Sequence, residues 1–188
     1  GLSWGKDPSR VDYGLLYQNR FPVLRAAVAR LLKEDRGDYQ SFCQEQGGWL
    51  ADYALFMALK KRHGGAAWDT WPDEERLRKP KAIAQAQKVL AKEIAFWQGV
   101  QYLFFHQWDN LKQYANRRGI SIIGDLPIYV ANDSADVWAS PEQFQLDRDG
   151  RPVEVSGCPP DAFAPDGQRW GNHLFDWDRM KKEGYRWW

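Results

Sequence analysis

The junction between residues 81–117 and the segment that follows them constrains this chain most. Ile83, Leu90, Ile94, Trp97, Phe104, Trp108, Leu111 and Ala115 recur at spacings of mostly three, four or seven. That is the stripe of an amphipathic helix about ten turns long, with no proline to interrupt it. Gly99 is its weak point, because glycine in a helix interior costs ~1 kcal/mol against alanine. The stripe ends on Arg117, Arg118 and Gly119, with cations at the negative end of the helix dipole and a glycine at the C′ position. Directly after it comes "ISIIGDLPIYV". A continuous apolar run after a helix is the signature of an αβ unit in a parallel sheet, buried on both faces.

Pro127 disfavours a central ladder position, so Asp125 is expected at the carboxyl end of that strand. Barrel enzymes and open α/β enzymes keep functional residues there. One parallel strand cannot make a sheet alone. A complete eight-stranded barrel takes roughly 250 residues, so these 188 are expected to supply one or two of its strands.

Upstream, the first 18 residues read as loop, punctuated by Gly1, Gly5, Pro8 and Gly14. Residues 20–34 place Phe21, Leu24, Val28 and Leu31 on one helical face. Residues 49–62, "WLADYALFMALKKR", are apolar nearly all round and predict a buried helix closed by Gly64 and Gly65. An irregular connector follows around Pro72 and Pro80.

Downstream of the expected strand, "NDSADVW" reads as a helix start, with Asp133 or Ser134 as cap and Asp136 in the first turn. Phe144–Leu146 and Val153–Val155 flank an Asp149-Gly150 turn, the pattern of a hairpin. Asp147 and Asp149 lack the acidic spacing and the distal Glu of a calcium loop. Residues 156–172 read as a long Gly- and Pro-rich loop that still carries Phe163 and Trp170. Loops of that length holding aromatics are usually functional.

Composition narrows the function classes. Residues 1–118 hold 19 Lys/Arg against 13 Asp/Glu, and residues 119–188 hold 7 against 12. Neither half is basic enough for a nucleic-acid surface. No apolar run approaches the ~18 residues of a membrane span, and the N-terminus lacks the shape of a signal peptide. Cys43 and Cys158 fit no metal spacing and read as two reduced thiols of a cytoplasmic protein, and the three histidines form no ligand pattern. The start at Gly1 without Met and the end at Trp187-Trp188 suggest an incomplete chain, since two exposed indoles would leave apolar surface in water.

Two stretches are far more specific. "GISIIGDLPIYVANDSADVWASPEQFQLDRDGRP" and "GCPPDAFAPDGQRWGNHLFDWDRMKKEGYRWW" resemble the middle of the 4-alpha-glucanotransferases, the amylomaltases or disproportionating enzymes of glycoside hydrolase family 77. "WLADYALFMALK" and "FWQGVQYLFFHQWDNLKQYANRRGISIIGDLPIYV" extend the likeness over nearly the whole chain. The resemblance implies an α/β fold, a partial segment of a TIM (β/α)8 barrel with a largely helical insertion and an irregular substrate-loop subdomain. On that reading 1–188 is part of one catalytic domain, with a helical region over 20–118, a barrel strand over 119–130, and a helix, hairpin and groove loop over 131–188.

The same resemblance implies transfer of an α-1,4-glucan segment to another sugar's 4-hydroxyl with retention, and no metal or organic cofactor. The family's nucleophile, acid/base and a third supporting aspartate lie later in the sequence than the position matching Trp188. No catalytic carboxylate is therefore expected here. Asp125 matches an aspartate that supports the active site, where the residues alone leave a purely structural strand-end role open. Asp133 and Asp136 read as capping and local hydrogen bonding. Residues 157–171 match a mobile loop over the substrate groove, in which Phe163, Gln168 and Trp170 would contact an α-1,4-glucan and Asn172 would lie close by. Trp97 and Trp108 read as core.

The chain departs from the family pattern at Cys158, Ala162, His173 and Phe175. Ala162 removes a common stacking ring, and His173 in place of proline is expected to loosen the loop's exit. Two other readings remain open. One is a non-catalytic α-glucan-binding module, and the other is a helical protein-interaction domain over 20–118. The sequence beyond Trp188 separates these readings. A strand-end R-x-D motif and a later Glu there belong to the enzyme alone.

Overall fold

The computed structural model describes residues 4–5, 7–34 and 36–188. Gly1, Leu2, Ser3, Lys6 and Asp35 lie outside the described residues, and with them that part of the expected N-terminal loop. In chain order the helices are α1 (Tyr13–Leu31), α2 (Gly37–Glu45), α3 (Gly47–Arg62), α4 (Asp73–Arg76), α5 (Pro80–Val89), α6 (Ala91–Asn116), α7 (Ala135–Ala139) and α8 (Trp177–Lys182). Two strands, β1 (Val155–Cys158) and β2 (Gln168–His173), pair antiparallel between α7 and α8. The chain divides into two compact units, Gly1–Ala54 with Lys92–Ile122, and Leu55–Ala91 with Ile123–Trp188.

In the first unit α1 begins earlier than expected, because Asp12 caps it by accepting from the Leu15 N–H at 2.9 Å. Val28, Leu31, Leu50, Ala54, Phe96 and Tyr102 form its buried core. Arg25 joins α1 to α6 by two bonds to Glu93, at 2.8 and 3.2 Å, while its guanidinium lies 4.0 Å over the Phe96 ring. Helix α2 was not anticipated; the hydroxyl of Tyr102 donates to Asp38 at 2.6 Å, and Phe42 packs on the Tyr102 ring.

The long stripe is two helices rather than one. The helix is interrupted at Leu90, and not at Gly99, which stays helical inside α6. The two helices bury their apolar faces in different units, Ala86 of α5 in one and Phe96 of α6 in the other. Periodicity alone cannot register that change of partner. Trp97 is half-buried, whereas Trp108 is 37% exposed together with Phe104 and Leu111. The core role expected of Trp108 is therefore not realised, because nothing among the described residues covers that stretch of α6.

The expected strand over 119–130 differs too. Ile120, Ile122, Leu126 and Ile128 are exposed, and Ile123 is 93% exposed. Among the described residues the two-stranded β1–β2 sheet is the one sheet formed, and 119–130 pairs with nothing. A parallel strand exists only when neighbouring strands complete its ladder, and these residues supply none.

The second unit is organised around indoles. Trp68, Trp71 and Trp138 are buried, and Phe56 of α3 packs between Trp71 and Trp138 at ring distances of 5.5 and 5.8 Å. Each indole N–H finds a backbone carbonyl: Trp68 donates to Asn132, Trp71 to Ala66 and Trp138 to Glu75, at 2.8, 3.0 and 3.0 Å. Buried indole N–H groups usually find such a partner. The Asp149-Gly150 turn forms as expected, with Leu146 bridged to Pro152 and Gly150 at φ 74°. At the C-terminus the two indoles are not left bare. Trp187 donates to Asp136 at 3.1 Å, and Trp188 stacks on Trp177 at 5.8 Å.

Candidate functional site

Residues 156–172 are not the open loop that their glycines and prolines predict. β1 and β2 form a hairpin in which Gly157 lies opposite Arg169 and Cys158 opposite Gln168. Glycine is required at the narrow end. A Cβ on Gly157 would come 2.7 Å from the Gln168 carbonyl oxygen, and one on Gly167 would come 2.7 Å from that of Cys158. Real Cβ atoms do not approach backbone so closely, which is the use of glycine at such a crossing. At the tip the Asp161 carboxylate accepts from the N–H groups of Phe163 and Ala164, at 2.8 and 2.7 Å. This turn presents the Phe163 ring, which is 94% exposed.

Gln168 and Trp170 are brought together: the indole Nε1 donates to the Gln168 Oε1 at 3.0 Å. Trp170 is 49% exposed and meets Tyr129 edge-to-face at 6.3 Å. The register between β1 and β2 breaks between Val155 and Gly157, and Gly171, at φ 81°, lies in that irregular stretch of β2. Beyond it Asn172 donates its Nδ2 to the Val130 carbonyl at 3.0 Å, and its N–H donates to the Ser156 hydroxyl at 3.1 Å. Asn172 is thus occupied in fastening the hairpin.

His173, the departure expected to loosen the hairpin's exit, does the reverse. It is 4% exposed, packs edge-on to Phe144 at 6.3 Å, and its Nδ1 lies 2.6 Å from the Asn132 Oδ1. Burial holds its imidazole below the usual histidine value, with the nearby Asp69 charge opposing.

The three aspartates separate. Asp125 is exposed and makes no hydrogen bond among the described residues, and none of Phe163, Gln168, Trp170 or Asn172 is bonded to it. Ser134 caps α7, accepting from Val137 at 3.3 Å, with Asp136 in the first turn. Asp133 is therefore not the cap. It accepts from the Trp68 N–H at 3.2 Å and pairs with Lys60, whose ammonium also donates to the carbonyls of Gly65 and Ala66. Asn132 and Tyr129, which touch the hairpin directly, carried no signal in the sequence, since a lone Asn in a polar run reads as turn chemistry.

Two clefts of the same unit, of about 450 and 680 Å³, share Trp68, Arg76 and Gly150, and the second also reaches Asn132, Asp133 and His173. Phe163, Gln168 and Trp170 line neither of them. No group of three or more His, Cys, Asp or Glu side chains among the described residues could hold a metal ion. No helix among them is long and apolar enough to cross a membrane. Both cysteines are free.

The hairpin thus carries a flat indole tied to a carboxamide, with a second ring projecting at its tip. The chain belongs to the 4-alpha-glucanotransferase family of glycoside hydrolase family 77, whose family model matches residues 2–188. It is 50% identical over 188 residues to the 4-alpha-glucanotransferase of Thermus thermophilus, covering 98% of this chain and 38% of that protein. It is 44% identical over 190 residues to that of Streptococcus pneumoniae serotype 4, covering 100% of this chain and 38% of the relative. A potato (Solanum tuberosum) relative, the chloroplastic/amyloplastic 4-alpha-glucanotransferase, is 38% identical over 184 residues, covering 95% of this chain and 32% of its own length. Among solved structures, the amylomaltase from Streptococcus agalactiae in complex with acarbose superposes with a TM-score of 0.93 at 44% identity, over 100% of this chain and 38% of that one. The chain thus spans about 38% of the length of such bacterial relatives.

Proposed function

We propose that these residues serve a 4-alpha-glucanotransferase that moves an α-1,4-glucan segment to the 4-hydroxyl of another glucan or of glucose. The observation that carries this is the Gln168–Trp170 pair on a hairpin whose tip presents Phe163, in a chain of this family. On this reading the hairpin holds glucan by stacking and by hydrogen bonds to hydroxyls, Asn172 fastens it, and Asp125 supports the reacting centre from the end of a strand in a (β/α)8 barrel. The exposed isoleucines of 119–130 and the exposed face of α6 suit that reading, since a barrel would cover them with the strands and helices these residues lack.

Transfer with retention uses two carboxylates about 5 Å apart, one as nucleophile and one as acid and then base, through a covalent glycosyl-enzyme. It calls on no metal or organic cofactor. Neither carboxylate is assigned to these residues, so the isolated chain is inactive on this reading.

The test is direct. Incubation of the 188-residue chain with maltotriose should release no glucose and form no longer maltodextrins, while a full-length enzyme containing these residues should do both. Disproportionation by the isolated chain would place the reacting carboxylates here after all.

A further inference from the structure

Asn132 lies between the end of the 119–130 segment and α7, and both ends of its amide are engaged with β2. Its Nδ2 donates to the Gly171 carbonyl at 2.7 Å, and its Oδ1 lies 2.6 Å from the His173 Nδ1. The chemistry fixes the orientation. A carbonyl oxygen only accepts, so the NH₂ must face Gly171; the Oδ1 then accepts, and His173 must carry its proton on Nδ1. The backbone carbonyl of Asn132 in turn accepts from the buried Trp68 indole at 2.8 Å, which anchors the residue to the core of this unit.

The two bonds straddle the place where β2 departs from regular pairing. Gly171 adopts φ 81° there, and its carbonyl is the one that Asn132 holds. The residue directly before it is Trp170, whose ring meets Tyr129 at 6.3 Å and whose Nε1 reaches Gln168 at 3.0 Å. We infer that Asn132 is the positioning residue for Trp170, holding the irregular β2 backbone in the one arrangement that presents the Trp170–Gln168 pair to glucan. This rests on the proposed role of Trp170 as a glucan contact.

Asn132 is solvent-exposed, but its Oδ1 is the partner of the buried His173 Nδ1, so its loss lowers stability as well. The discriminating signature is therefore kinetic. In a full-length enzyme containing these residues, Asn132→Ala should raise KM for maltodextrins about fivefold, the scale of one lost hydrogen bond, with kcat unchanged. Asn132→Asp, which still accepts from His173 but meets the Gly171 carbonyl with a carboxylate oxygen, should raise KM at least as much. In the Trp170→Ala background the effect of Asn132→Ala should vanish, because nothing is left to position. A fall in kcat with KM unchanged would overturn the inference, and so would equal KM effects in both backgrounds. If Trp170→Ala alone leaves KM unchanged, the glucan role of Trp170 fails instead, and Asn132 then has no contact to act through.

Discussion

The Trp170 indole donates to the Gln168 carboxamide at 3.0 Å, so two side chains two positions apart on β2 act as one unit. The bond commits the Gln168 oxygen and holds the ring beside the amide. Trp170→Ala in a full-length enzyme should weaken glucan use by ~1–3 kcal/mol in kcat/KM, the scale of one well-packed contact. Gln168→Ala should cost less, and the double variant should fall short of the sum of the two. Strict additivity would mean that the side chains meet substrate independently.

Asp125 presents the opposite case, an exposed carboxylate without a hydrogen bond among the described residues. Its removal should leave the chain's own stability within about 0.5 kcal/mol, as for most surface substitutions. In a full-length enzyme Asp125→Asn should lower kcat at least about tenfold, roughly 1.4 kcal/mol of transition-state stabilisation. Steady-state kinetics beside thermal unfolding of the same variant checks both halves. A stability loss in the isolated chain would mark Asp125 as structural.

Burial depresses the His173 value, so the folded state binds fewer protons than the unfolded state in the window just below the ordinary histidine value. Stability is then greatest above about pH 6.5 and falls as pH drops below it, the loss being complete once the lower folded value is passed. Thermal midpoints measured from about pH 8 to about pH 5 should show this decline, and His173→Gln should flatten it while lowering stability throughout. An unchanged slope in the variant would assign the decline to other groups.

Gly99 lies against Val28: a Cβ built there would stand 2.6 Å from one Val28 methyl and 3.0 Å from the other. Helix propensity favours alanine at this position by ~1 kcal/mol. Overpacking a tight contact costs ~1–3 kcal/mol, so the clash should win and Gly99→Ala should destabilise. Chemical denaturation of Gly99→Ala with and without Val28→Ala decides it, since shortening Val28 should recover the helix gain.

Local order was legible in the residues. Helices α1, α3 and α6 announced themselves through apolar spacing, α7 through Ser134 and Asp136, and the 147–151 turn through Asp149-Gly150, because each depends on bonds within a few positions along the chain. The family was legible for the same reason: its motifs are contiguous. The apolar run of 119–130 reads as a segment suited to burial, but burial and pairing need neighbours that these residues do not include. The β1–β2 hairpin escaped notice because its arms are short and glycine-rich and its pairing spans residues 159–167. Asp133 could equally have been a cap until Lys60 and the Trp68 N–H met its carboxylate. Sequence by itself thus determined the longer helical stretches, the 147–151 turn and the family. Tertiary structure alone decided that His173 locks the hairpin and that Asn132 holds the strand bearing Trp170, because both depend on hydrogen bonds between segments some forty positions apart.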